Sequence, residues 1–233
     1  SYAIDTTSGT ASITANLVST GPFVKTGNGT LTISTPFASD IRITGGTIAL
    51  GANNILADSI ALEISGGTFA LGSYSDTVGN VTLSEGSITG TTGVLIGSSY
   101  SVTNATGNTT ISAILGGSGS LTKTGAGTLT LSGTNTYSGV TTISAGTVVI
   151  TNNSALGSTV GGTSVASGAV LDLYNVAVGA ENLTLAGGTL KDVTSSFSGN
   201  ITLTANSTVA TTNANDVFTL SGVIAGSGYG ITV

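Results

Sequence analysis

Apolar and polar residues alternate along this chain in short bursts, and glycine or asparagine separates one burst from the next. "NVTLS" at Asn80, "NLTL" at Asn182 and "NITLT" at Asn200 each place an apolar side chain at every second position, the period of a strand with one buried face. Thr and Val fill many of these positions, which suits a pleated, half-buried surface. No stretch carries a convincing 3.6-residue period, so the pattern predicts strands and no helices.

The bursts recur. "TGGTIAL" (Thr44–Leu50), "SGGTFAL" (Ser65–Leu71) and "SEGSITG" (Ser84–Gly90) follow one another at about 20 residues. "SAGTVVI" (Ser144–Ile150), "ASGAVLDL" (Ala166–Leu173) and "AGGTLKD" (Ala186–Asp192) repeat the arrangement further on. A unit of 20–22 residues cannot bury its own apolar face and must stack on its neighbours. The expectation is a parallel β-helix, or β-solenoid, of ten or eleven coils forming a rod about 50 Å long. Leu129, Leu131, Val148, Ile150, Leu183 and Leu185 face inward in this reading and Thr faces out. Gly27, Gly29, Gly125 and Gly127 take the corners, where positive φ is free of steric cost. The pairs Asn53–Asn54 and Asn152–Asn153 also suit left-handed corners. A pair of β-sandwiches of about 100 residues each is the rival architecture.

A longer period overlies the short one. "ITANLVSTGPFVKTGNGTLTIS" (Ile13–Ser34) returns as "ISAILGGSGSLTKTGAGTLTLS" (Ile111–Ser132), and "LSGVIAGSGYGITV" (Leu220–Val233) begins a third copy. The modules run about 13–110 and 111–219 within one continuous solenoid over residues 1–233. The interrupted third copy, the missing initiator Met and the lack of a signal-peptide pattern at Ser1 read as a piece of a longer protein.

The stretch Leu121–Ser158 resembles the passenger-associated repeat of bacterial autotransporters, through "KTGAGTLTLSG", the "NTYSG" turn, "AGT" and "NNSALG". The earlier copy keeps "KTGNGTLTIS" and departs at "TPFASDIRITGG", losing the "NTYSG" turn. The resemblance implies a right-handed parallel β-helix on the surface of, or secreted by, a Gram-negative bacterium. It brings no catalytic residues. It implies a non-catalytic structural or adhesive module, and a ligand on a host or neighbouring cell.

Composition narrows the chemistry. Charged residues make up 6% of the 233-residue chain, against about a quarter ordinarily. The net charge is −6, and the bases are Lys25, Arg42, Lys123 and Lys191. Four scattered bases cannot neutralise a run of phosphates, so no nucleic acid is expected. No apolar run of about 18 residues exists, so no membrane insertion by a helix is expected. There is no His and no Cys, which removes Ser-His-Asp and Cys-His catalysis, disulfides and imidazole or thiolate metal sites. No cofactor, metal or catalytic residue is expected.

Carboxylate chemistry is the remaining enzymatic route. A carbohydrate-active β-helix needs two acids on one face, and Asp58 with Glu63, or Asp172 stacked one coil below Asp192, are the candidate pairs. Lys25 and Lys123 occupy one repeat position and read as structural turn residues. "GGSGSLTKTGAG" (Gly116–Gly127) fits neither a phosphate loop nor a dinucleotide fingerprint, and "GGSGS" lacks the Asp of calcium-binding repeats. Eight Asn-X-Ser/Thr sequons are close to what the Ser and Thr content yields by chance, and the six tyrosines share no repeat position. Thr128 and Thr130 raise an ice-binding solenoid as a further alternative, although Thr recurs without a fixed Thr-X-Thr register. Open rung edges at both ends predict end-to-end association with itself or continuation into further repeats.

Overall fold

The computed structural model describes residues 2–14 and 21–233; the part of the first long repeat at 15–20 lies outside them. Among the described residues there is no helix, and the strands stack in parallel as a solenoid of about eleven turns. The rod has three faces. The first runs from Tyr2–Asp5 through Phe23–Thr26 to Ile224–Ala225, and the second from Thr10–Ile13 through Thr30–Ile33 to Ile231–Thr232. The third is discontinuous. It includes Ile114–Gly116 paired with the start of Val94–Val102, and a separate sheet of Ala177–Val178, Ser196–Phe197 and Thr219–Leu220.

Strict alternation explains which residues fill the rod. On the second face, Leu31, Ile48, Phe69, Ile88, Ile111, Leu131, Ile150 and Leu173 lie one above another in successive rungs. All are buried. On the first face, Phe23, Ile41, Leu62, Val81, Tyr100 and Leu121 form the corresponding stack. Leu129, Leu131, Val148, Ile150, Leu183 and Leu185 all point inward, each no more than 1% exposed. Fully burying one such side chain is worth about 1.5–3 kcal/mol.

The two long repeats differ where the "NTYSG" turn is lost. Tyr137 fills the interior four residues before Thr141, and its hydroxyl bonds the Thr141 hydroxyl at 2.6 Å. Phe37 fills the matching position four residues before Ile41 and packs edge-on to Phe23 with centroids 5.2 Å apart. A hydroxyl pair in one copy is thus replaced by an apolar pair in the other, which keeps each interior matched.

Corner geometry carries one strained residue. Asn175 and Thr194 follow paired strand residues in adjacent rungs, and both have left-handed backbones, φ 56° and 54°. Asn tolerates this region, whereas a β-branched residue there is a steric outlier. Thr194 is exposed, so little packing is lost by replacing it. Thr194→Asn is expected to stabilise the chain by about 1 kcal/mol, raising Tm by about 2–4 °C; a thermal melt of both proteins checks this.

Candidate functional site

Lys25 is the penultimate residue of its first-face strand and Lys123 the last of its own, each with the side chain turned into the rod, and both are fully buried. The Lys25 ammonium donates to the carbonyls of Thr26 (2.5 Å), Gly27 (2.9 Å) and Gly45 (3.2 Å). Lys123 donates to the carbonyls of Gly125 and Ala145. Each ammonium therefore links the turn of its own rung to the turn of the next. Burial pushes both amines below the ordinary lysine range, with Asp5 opposing this at Lys25.

The glycines round these lysines differ from the expectation. Gly27 alone of the four has a positive φ, 70°. Gly29, Gly125 and Gly127 are dictated by close approach of rungs instead: a Cβ on Gly125 would lie 1.9 Å from the Asn104 carbonyl oxygen. The asparagines divide in the same way, with Asn54 left-handed (φ 51°) and Asn53, Asn152 and Asn153 not. Asn53 accepts from the Ser75 amide at 2.7 Å and Asn153 from the Ala177 amide at 2.8 Å, one rung on. Asn152 caps its own turn by accepting from the Ser154 amide.

The candidate carboxylate pair does not assemble. Asp172 pairs in register with Lys191, and Leu173 with Asp192, so the two acids are one position out of step and point to opposite sides of the sheet. Asp172 turns outward and holds Lys191 at 2.9 Å. Asp192 turns inward into the column of Ile150 and Leu173, with neither carboxylate oxygen hydrogen-bonded. Glu63 pairs with Arg42 across rungs at 3.3 Å, not with Asp58. Among the described residues no three His, Cys, Asp or Glu side chains cluster as a metal site.

Two further acids are buried where the sequence offers little signal. Glu181 accepts from the Thr163 hydroxyl at 2.8 Å, and burial raises its carboxyl above the ordinary range. Asp76 accepts from the amides of Ile55, Leu56 and Thr77, and burial raises it too. Tyr100 bridges rungs through the Leu95 and Gly116 carbonyls, and burial pushes its hydroxyl up to about 12.

A hydroxyl ladder runs along the first face. Thr82, Ser101, Thr122, Thr142, Ser164, Thr184 and Thr202 are register partners on seven successive rungs of the first face, all pointing outward. Two positions along, Ser84, Thr103, Thr124 and Ser144 form a second row on the first four of these rungs. A Ser/Thr-X-Ser/Thr register therefore exists. It is hidden in the sequence because rung length varies between 18 and 22 residues.

The buried ionisable groups set opposing pH limbs. A carboxyl raised by folding holds its proton where the unfolded chain has lost it, so Glu181 weakens the fold as pH climbs above the ordinary glutamate value. A lysine lowered by folding releases its proton before the unfolded chain does, so stability rises with pH as it approaches the ordinary lysine value. Glu181→Gln is expected to make the acidic limb shallower, leaving the part that Asp76 contributes, and Lys123→Met to make the alkaline limb shallower, leaving the part from Lys25, in denaturation midpoints measured across pH. Asp192→Leu is expected to stabilise by about 1–3 kcal/mol, because it replaces an unpartnered buried carboxyl in an aliphatic column; urea unfolding at neutral pH checks it.

No curated protein and no solved structure matches the chain. A family model does, that of the passenger-associated-transport-repeat, at residues 23–50 and again at 121–150. Each matched stretch opens on the first-face strand that holds a buried lysine and closes on a second-face strand of the next rung. These two stretches match the passenger-associated-transport-repeat, which is consistent with the repeats of autotransporter passengers.

Proposed function

We propose that this chain is a non-catalytic, extracellular structural and adhesive module of an autotransporter passenger, displayed by a Gram-negative bacterium. The observation that carries the reading is the coincidence of both family matches with equivalent stretches of one continuous parallel stack. The passenger repeat implies a surface or extracellular location. The work of such a module is geometric: it holds a neutral, stiff side wall at a distance from its anchor and offers that wall to a ligand on a neighbouring or host cell. The out-of-step Asp172 and Asp192 remove the support that a stacked pair in a groove would have lent to a carbohydrate-active enzyme.

End-to-end stacking on a second copy belongs to the same proposal. Tyr2–Asp5 and Ile224–Ala225 share the first face, and Thr10–Ile13 and Ile231–Thr232 share the second. One copy set on another therefore continues both columns in phase.

Antibody raised against the purified chain is expected to label intact, unpermeabilised cells of the source bacterium; labelling only after permeabilisation would overturn the surface assignment. Negative-stain microscopy of the chain is expected to show fibres with an axial repeat of about 50 Å. Separate short rods at high concentration would remove the self-association and leave the display role standing.

A further inference from the structure

The first-face ladder is regular in two directions. Neighbouring rungs are about 4.8 Å apart, and positions two residues along a strand about 6.6 Å apart. Seven hydroxyls thus span about 29 Å along the axis. The second row doubles the array over the rungs of Thr82, Ser101, Thr122 and Thr142. The ladder side chains from Thr82 to Thr184 are half-buried against their neighbours, and the β-branched threonines are stiff at χ1, so the array keeps its spacing without a ligand. Each hydroxyl both donates and accepts, and each Thr adds a methyl.

Charge stops where the array starts. The Arg42–Glu63 ion pair occupies the same outward column on the two rungs before Thr82. Neither row contains an ionisable side chain. Lys123, between Thr122 and Thr124 in sequence, points into the rod, and Glu85 stands exposed at the corner just past Ser84. No aromatic side chain lies on either row, so nothing on this face offers a sugar ring a stacking platform. The second face carries a column of its own, Thr10, Thr30, Thr47, Thr68, Ser87, Thr110 and Thr130, but Ala49 and Ala70 break its neighbouring row beside Thr47 and Thr68.

We infer that the double hydroxyl row at Thr82–Ser144, extended by Ser164, Thr184 and Thr202, is a binding face for ice. Ice presents a neutral lattice of donors and acceptors that repeats every few ångströms in two directions. A rigid array of matching kind can order a first water layer that continues into that lattice, with little entropy left to lose on docking. Hydroxyls hold the waters in register and the methyls leave no competing polar direction. The inference is independent of the display and stacking roles above.

The experiment is incorporation of the full 233-residue chain into a slowly growing ice hemisphere, paired with microscopy of single crystals. The wild-type chain is expected to enter the ice and to facet the crystals. Thr122→Arg/Thr142→Arg is expected to lose both behaviours with an unchanged thermal melt, and Thr124→Arg, at an exposed position of the second row, provides the same test should the double variant fold poorly. Thr47→Arg, on the second face, is expected to behave as wild type. Exclusion of the wild-type chain from ice overturns the inference, including the case in which the face captures an insoluble neutral glucan or a second copy instead. Retained incorporation by Thr124→Arg, or its loss in Thr47→Arg, overturns the assignment to this face.

Discussion

Everything in this rod depends on the parallel backbone ladder that joins each rung to the next. A single rung has no interior; it closes only when the rung above and the rung below supply the other sides of its core. The consequence is a register constraint repeated about eleven times. A slip of one residue on any strand would move its Leu and Ile to solvent and its Thr inside. Inward Leu31, Ile48, Phe69 and Ile88 against outward Thr30, Thr47, Thr68 and Ser87 show how firmly alternate positions are held apart.

Within that constraint the interior accepts polar groups only where the ladder or a corner can satisfy them. Lys25 and Lys123 spend their donors on turn carbonyls of two rungs, and Asp76 spends its acceptors on three amides. Tyr137 with Thr141 and Glu181 with Thr163 form hydroxyl-mediated pairs in the same region of the rod. Asp192, inward with neither oxygen partnered, is an exception, and the buried hydroxyls of Thr6 and Ser158 also lack a partner. These inclusions break the similarity between rungs, giving each a side-chain complement that neighbouring rungs do not share, and so oppose pairing of the wrong two rungs.

Much of this architecture was legible in the sequence, because alternation and the recurring Gly-Thr strands report directly on the pleat and the stacking. The inward set around Leu129, Ile150 and Leu185 follows from alternation alone. Other features depend on register, which varying rung length conceals. Asp172 and Asp192 lie 20 residues apart and suggest stacking, yet the pairing advances 19, Asp172 to Lys191. The hydroxyl ladder is lost to a fixed-period reading for the same reason. Gly29, Gly125 and Gly127 look like any turn glycine, and only the neighbouring rung reveals that contact, not φ, excludes a side chain.

Because the ladder hydrogen bonds run along the rod, a pull on its two ends loads them in the direction in which they open, not in shear. The tension passes through every rung, yet only a terminal strand can be peeled from a single neighbour, and the rungs behind it remain closed on both sides. The rod should therefore yield by peeling, releasing about 20 residues, or roughly 65 Å of extended chain, at each step. A rod built this way lengthens in instalments under load, and its remaining rungs keep their side faces intact while it does so.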